Sequence, residues 1–293
     1  MKYPQQPTLW DYIKQKKPSQ TPTFKPYGKN QTYKKNNKQH IRSIHRQKII
    51  NPIRCQAEVI NQLPQSPCLK IGFLNLNGLY TSTEDRMLEV SQHMQDQQID
   101  IFGLAETNIH WNNKAIYQYQ QKKLRNLTND PKAQIITSDT NIPWTRKFKP
   151  GGTALLINSK VASHVLNKET DYPMGRWSLI EIGQKKHKIC ICTAYIVGNT
   201  EISSTKQYTT AYQQWQILSK QNNNNHPREQ AIKDLISTLK QKIQHGFEII
   251  LMLDAIDTIK THRGIISQLQ TTCHLQVMQS TTQPNLNSYK RGK

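Results

Sequence analysis

The sequence predicts an α/β fold with a single core, preceded by a basic segment that does not fold. Three observations predict it. From Leu69 onward, short β-rich apolar runs alternate with amphipathic helical stretches. Residues 1–66 are rich in Gln, Lys, Pro, Thr and Asn and hold few apolar side chains outside Ile49–Ile60, so folding them would not offset their conformational entropy. A hydrophobic content of 35% over 293 residues supplies one substantial core rather than two. The expected organisation is a disordered basic tail, 1–66, followed by one domain, 67–293.

The tail holds 13 of the 40 Lys and Arg residues but only Asp11 and Glu58 of the 19 acidic ones, within a chain of formal net charge +21. Such a field attracts polyanions, which makes DNA, with RNA second, the expected partner. Near its start, Gln6-Pro7-Thr8-Leu9-Trp10-Asp11-Tyr12-Ile13 places Leu9, Tyr12 and Ile13 on one face of a short helical turn. This element resembles the motif by which replication proteins bind the DNA sliding clamp, with Ile13 in place of the second aromatic.

The domain opens with a strand, Leu69–Leu76, and an amphipathic helix over Glu84–Gln97, in which Met87, Val90 and Met94 recur at helical spacing and Ser82 or Thr83 supplies the cap. Strand Ile99–Ala105 follows. The basic connection Asn108–Gly151 exceeds ordinary loop lengths and reads as a functional surface or a flexible insertion. Strands Thr153–Asn158, Trp177–Ile182 and Lys188–Ile196 come next, then a helix over Lys206–Lys220. A second helix, Arg228–Gln244, carries the continuous stripe Ile232, Leu235, Ile236, Leu239 and Ile243. Strand Glu248–Leu253 leads to Asp254, and Thr272-Cys273-His274-Leu275 reads as a helix-to-strand corner.

Cys55, Cys68, Cys190, Cys192 and Cys273 form no CxxC pair, so neither a zinc site nor a disulfide framework is indicated and a reducing compartment fits. Cys190 and Cys192 share a strand face and read as inert buried thiols. No run approaches the roughly 18 consecutive apolar residues that span a bilayer, and the N-terminus is polar, so the expected location is intracellular.

Chemistry collects where strands stop. Asn75-Leu76-Asn77-Gly78-Leu79 ends the first strand, Glu106-Thr107 ends the second, and Asp254 ends the last. Two carboxylates with amide side chains at a sheet edge suit a hard, oxygen-loving ion such as Mg²⁺. Tyr195 is either a core aromatic or a phosphate contact, Asn77-Gly78 alone is an ordinary turn signal, and His110 is a loop residue. Arg146, Lys147 and Lys149, beside Trp144, either touch a nucleic-acid backbone or form a solvated basic loop.

Taken in order, KIGFLNLNGL, IDIFGLAET, GGTALL, ICTAYIVGN and EIILMLD resemble the endonuclease/exonuclease/phosphatase family, most closely apurinic-type and non-LTR retrotransposon endonuclease domains. The stretch Ser288-Tyr289-Lys290-Arg291-Gly292 is similar to retroelement nucleases just upstream of their last motif. The resemblance implies a four-layer α/β/β/α sandwich of two mixed sheets. It also implies that Glu106 ligates Mg²⁺, Asn75 supports the metal site, Tyr195 contacts the scissile phosphate or the metal's shell, and Asp254 orients the attacking water.

Two departures accompany it. Asp254-Ala255-Ile256-Asp257 stands where the family has Asp-x-Asn, and the closing Ser-Asp-His-type motif does not follow Gly292, so a truncated domain with an incomplete second sheet is expected. Three readings stay open: a Mg²⁺-dependent nuclease nicking DNA, a retroelement-derived fragment that binds nucleic acid without cutting it, and a phosphatase of the same superfamily.

Overall fold

In the computed structural model the described residues are 68–80, 85–146, 148–184, 187–255 and 264–278. The tail, Gln6, Leu9, Tyr12 and Ile13 within it, the expected caps Ser82 and Thr83, Lys147, and Ile256 with Asp257 lie outside them. Two four-stranded mixed sheets form the centre. Strands β1 (Ile71–Asn75), β2 (Ile101–Ala105), β3 (Gln134–Ser138) and β4 (Thr153–Ile157) build the first in the order β1-β2-β4-β3, with β1 and β2 parallel and the rest antiparallel. Strands β5 (Val165–Thr170), β6 (Trp177–Gln184), β7 (His187–Ile196) and β8 (Phe247–Ala255) build the second in chain order, with β7 and β8 its parallel pair.

The α-helices among the described residues are α1 (Arg86–Asp96), α2 (Lys114–Leu127), α3 (Ser159–Ala162), α4 (Thr210–Lys220), α5 (Pro227–Gln244) and α6 (Ile265–Cys273). Alternation along the strands sorts the core into three layers. Phe102, Leu104, Ala154 and Leu156 face Met87, Val90 and Met94 of α1 and Leu124 of α2. Ile101, Leu155, Ile157, Ile180 and Ile191 lie between the sheets, all fully buried, each stabilising the fold by about 1.5–3 kcal/mol relative to exposure. Leu179, Cys190 and Cys192 face Ala231, Leu235 and Leu239 of α5 and Leu269 of α6. The result is the expected helix/sheet/sheet/helix sandwich. Gly103 lets the sheets close: a Cβ there would lie 2.7 Å from Met252 Cε and 3.1 Å from Thr193 Oγ1.

The largest difference from the sequence expectation lies in Asn108–Gly151, which contains α2 and β3 instead of one long connection. Glutamines occupy the inward face of α2, which weakens its hydrophobic period. Gln121 donates to the Ala133 carbonyl at 2.8 Å and accepts the Ile135 N–H at 2.9 Å, and Gln120 bonds the Tyr80 hydroxyl. Asn113 caps α2 through its side chain. Strand β5 is a polar edge, exposed at four of its six positions. Helix α4 begins at Thr210, capped by Thr209, because Ser204–Lys206 forms a separate 3-10 turn. Helix α1 has Asp85 at its N-cap, and in α5 the end of the stripe, Ile243, is exposed. Helix α6 ends where His274 turns left-handed at φ 55°, and no strand follows it among the described residues.

Candidate functional site

The two parallel pairs bring four carboxyl-terminal strand ends together. Along β1, Ile71 and Phe73 face the space between the sheets, and the two-residue period carries Asn75 to that side. The same period carries Tyr195 there after Ile189 and Ile191 of β7, and Asp254 after Met252 of β8. The inter-sheet core is thus crowned by polar groups at one end. In register, Asn75 sits beside Ala105, whose successor is Glu106, and Tyr195 sits beside Asp254. Across the sheets, Asn75 Nδ2 donates to Asp254 Oδ2 at 2.6 Å, and Glu106 lies close enough to the Tyr195 hydroxyl for its charge to act on it.

The loops after β1 and β2 hold left-handed non-glycine residues, Asn77 at φ 46°, Glu106 at φ 49° and Asn108 at φ 53°. Each costs on the order of 1 kcal/mol or more, so surrounding bonds must enforce them. Asn75 Oδ1 accepts the Asn77 N–H at 2.8 Å, and the Gly78 and Leu79 N–H groups donate to the carbonyls of Glu106 and Thr107 at 2.7 Å. Asn108 is clamped to the segment before β4: its N–H reaches the Gly151 carbonyl, and its Oδ1 accepts the Gly151 N–H, both at 2.8 Å. Arg86 of α1 donates to the Leu76 and Gly78 carbonyls. Asn77 itself is exposed at the rim.

Negative charge accumulates here. Burial pushes the Asp254 carboxyl above its ordinary range and neighbouring Glu106 adds to this, while the bond from Asn75 opposes it. Burial, then the neighbouring Glu106 carboxylate, push the Tyr195 hydroxyl far up, so it remains a neutral O–H donor at neutral pH. Among the described residues no group of three or more His, Cys, Asp or Glu forms a metal cluster. Glu106, Asp254 and the Asn75 amide nevertheless offer hard oxygen donors with excess negative charge. That set fits a Mg²⁺ ion, which uses one or two carboxylates and keeps several waters.

Among the basic residues expected at nucleic acid, Arg146 is exposed, its guanidinium 3.5 Å from the Tyr208 ring centroid. Lys149 is a correction. Its side chain is buried, its Nζ lies 3.1 Å from Asp139 Oδ2 and also donates to the Thr140 carbonyl, so it cannot reach a polyanion. His110 is a half-buried loop residue, its imidazole lowered by burial and then by the Lys149 charge. Gly151-Gly152 forms the tight entry to β4, at φ 88° and 80°.

Sequence reasoning missed the residues that frame the site. Thr107 is buried, accepting Trp111 Nε1 at 2.8 Å. Arg176 is buried against Asp171 and Asp234, and its carbonyl accepts the Tyr195 N–H at 2.8 Å. Only the Gly-Gly pair hinted at the Asn108 clamp. Nothing local marked Arg176, since its partners lie on β5's exit and on α5.

The described domain resembles endonuclease/exonuclease/phosphatase proteins. The human Nocturnin catalytic domain is similar at 12% identity, covering 72% of this chain and 72% of that one, with a TM-score of 0.41. An AP endonuclease from Archaeoglobus fulgidus has 16% identity, coverage of 69% and 63%, and a TM-score of 0.39. An endonuclease/exonuclease/phosphatase family protein from Bacteroides thetaiotaomicron has 13% identity, coverage of 69% and 68%, and a TM-score of 0.39. The chain thus spans less than two thirds of the Archaeoglobus protein. No family model and no curated protein matches the sequence.

Proposed function

We propose that the domain is a Mg²⁺-dependent phosphodiesterase of the endonuclease/exonuclease/phosphatase type that cuts DNA. One observation carries this reading: Asn75, Glu106, Tyr195 and Asp254, from four strand ends in two sheets, meet around the 2.6 Å Asn75–Asp254 bond, with Glu106 beside the Tyr195 hydroxyl. Glu106 would hold the ion, with Asn75 supporting it. A bound Mg²⁺ would neutralise charge developing on the phosphate. Asp254, made more basic by burial and by Glu106, is suited to take a proton from an attacking water, and Asn75 fixes which of its oxygens is free to do so. Tyr195, held as a neutral O–H, donates to a phosphate oxygen.

The net charge of +21 favours DNA over a small phosphoester. Asn77 and Arg146 would line the approach, and Lys147, next to Arg146 in sequence, is a further expected contact. Within the tail, Gln6, Leu9, Tyr12 and Ile13 would add a sliding clamp as partner, in keeping with an intracellular, nuclear location. The test is nicking of supercoiled plasmid in Mg²⁺ against EDTA. Metal-dependent nicks should fall by roughly 10²- to 10⁴-fold in Asp254→Asn, and Glu106→Gln should behave alike. If no metal-dependent product forms even at high protein, the enzyme reading fails and the non-cutting, retroelement-derived binding fragment replaces it. Turnover of small phosphoesters without nicking would select the phosphatase.

A further inference from the structure

Beside the strand ends, two surface segments meet in a cluster of planar side chains that the proposed chemistry leaves unused. Trp144 and Tyr208 pack edge to face with ring centroids 6.2 Å apart. Arg146 lies flat enough over Tyr208 to bring its guanidinium carbon 3.5 Å from the ring centroid. The Trp144 indole N–H donates to the Phe148 carbonyl at 2.7 Å, which closes the loop and holds the ring in place. Tyr208 and Phe148 are 45% and 38% exposed, more than core packing would leave.

We propose that Trp144, Arg146 and Tyr208 form a stacking platform for unpaired bases of the nucleic acid whose backbone reaches Asp254 and Glu106. This rests on the reading of the domain as one that acts on nucleic acid. Aromatic rings and guanidinium planes stack on any base face, so this composition suits single-stranded or unwound nucleic acid. A second surface pair of the same kind shows the contrast. Lys123 lies 5.8 Å from the Tyr119 ring but is neutralised by Asp85, whereas no carboxylate pairs with Arg146 among the described residues. From Thr140 to Pro150 the chain has Arg146, Lys147 and Lys149 and no acidic residue.

The platform is tied firmly to the site. Lys149 N–H donates to the Asn108 carbonyl at 3.3 Å, and the Thr210 side chain abuts Gly151, 2.6 Å from where a Cβ would sit. Glu106 to Asn108 and Lys149 to Arg146 are short chain paths, so at about 3.5 Å per residue the platform lies within roughly 25 Å of Glu106. That is about seven nucleotides of one strand at ~3.4 Å each.

The experiment is fluorescence anisotropy of the full chain in EDTA at about 0.2 M salt, where phosphate contacts are weakened. The probes are an end-labelled oligo-deoxyadenylate, an abasic strand of equal phosphate number and a blunt hairpin duplex. Tyr208→Ala and Trp144→Ala should weaken oligo-deoxyadenylate binding about 5- to 100-fold, leave the abasic strand and the duplex unchanged, and keep the wild-type melting temperature. Tyr208→Phe should retain binding, since stacking needs no hydroxyl, and Tyr119→Ala should have no effect. Equal losses on the abasic strand, or no loss in Tyr208→Ala, overturn the platform. Because EDTA removes catalysis from this assay, base-dependent binding without any Mg²⁺-dependent nicking would sink only the phosphodiesterase reading. Nicking with base-independent binding would sink only the platform.

Discussion

Lys149 offers the sharpest separation between a surface role and an interior one. Its ammonium lies 3.1 Å from Asp139 Oδ2, an attraction of about 5 kcal/mol at an effective dielectric constant of about 20. Both ions are nonetheless strained by desolvation: burial raises the Asp139 carboxyl and lowers the Lys149 amine, each against the pull of its partner. Lys149→Met removes the attraction and leaves Asp139 buried, which should cost about 3–5 kcal/mol, or a fall in Tm of roughly 6–20 °C. The sign of the pH dependence follows. Asp139's folded pKa, already raised, rises further without the ammonium, so its penalty is present above that value and is relieved as pH falls through it. Lys149→Met should therefore recover stability relative to wild type as pH falls from neutral through that raised value. The double variant Asp139→Asn/Lys149→Met should stay within about 2 kcal/mol of wild type across the range, because an uncharged pair owes no ion desolvation. Urea unfolding at each pH measures all three. If Lys149→Met costs under about 1 kcal/mol at neutral pH, shows no recovery in acid and instead weakens DNA binding, the interior assignment is wrong.

Three further predictions follow from the same geometry. Gly175→Ala should destabilise by more than about 2 kcal/mol in urea unfolding, because φ is 71° and the new Cβ would lie 2.3 Å from the Asp139 carbonyl carbon; a neutral result would refute the close approach. In native protein at about pH 8, iodoacetamide should alkylate exposed Cys68 and spare Cys190, whose thiol burial pushes up to about 12, leaving a thiolate fraction on the order of 10⁻⁴. Mass spectrometry of the adducts decides it. Mg²⁺ at about a hundred times its Kd should stabilise the protein by roughly 2.7 kcal/mol in thermal unfolding, and the shift should vanish in Glu106→Gln; equal shifts in both would move the ion elsewhere.

The elements that were legible in the sequence are those whose apolar period is uninterrupted. Strands β2 and β4 bury every residue and β7 buries its middle run, and α5 carries Ala231, Leu235 and Leu239 inward, so composition and spacing identified them within a few residues. Helix α2 and strand β5 were missed for opposite reasons. Buried glutamines of α2 replace apolar side chains and find only tertiary partners, the Ala133 and Ile135 backbone for Gln121 and the Tyr80 hydroxyl for Gln120. Strand β5 buries almost nothing and is held by pairing to β6 and by polar side-chain contacts, Lys242 to Glu169 and Lys168 to Gln134. Among the candidate site residues, Asn75, Glu106 and Asp254 were readable as polar groups at the ends of apolar strands. Lys149 was misread because its charge looked solvated, and Asp139, the partner that makes burial tolerable, lies ten residues away across an unrecognised strand end.

Why the chemistry gathers at one end of this fold follows from connectivity. A parallel pair requires a crossover, and β1-α1-β2 and β7-α4-α5-β8 supply one in each sheet. Each crossover returns the chain so that two carboxyl ends lie side by side. Stacking the two sheets with those ends together then places Asn75 and Glu106 opposite Tyr195 and Asp254. The inward period fills the layer beneath with Ile71, Phe73, Ile191 and Met252, which desolvates the polar crown from below and raises Asp254 and Tyr195. Gly103 sets how closely the crown can assemble, since any side chain there would meet Met252 and Thr193 and push the sheets apart. Gly103→Ala should therefore lengthen the 2.6 Å Asn75–Asp254 contact, although it touches neither residue. In the proposed phosphodiesterase, loss of nicking that exceeds loss of stability is the expected signature, and full nicking in a folded Gly103→Ala protein would show that the sheets' spacing does not control the site.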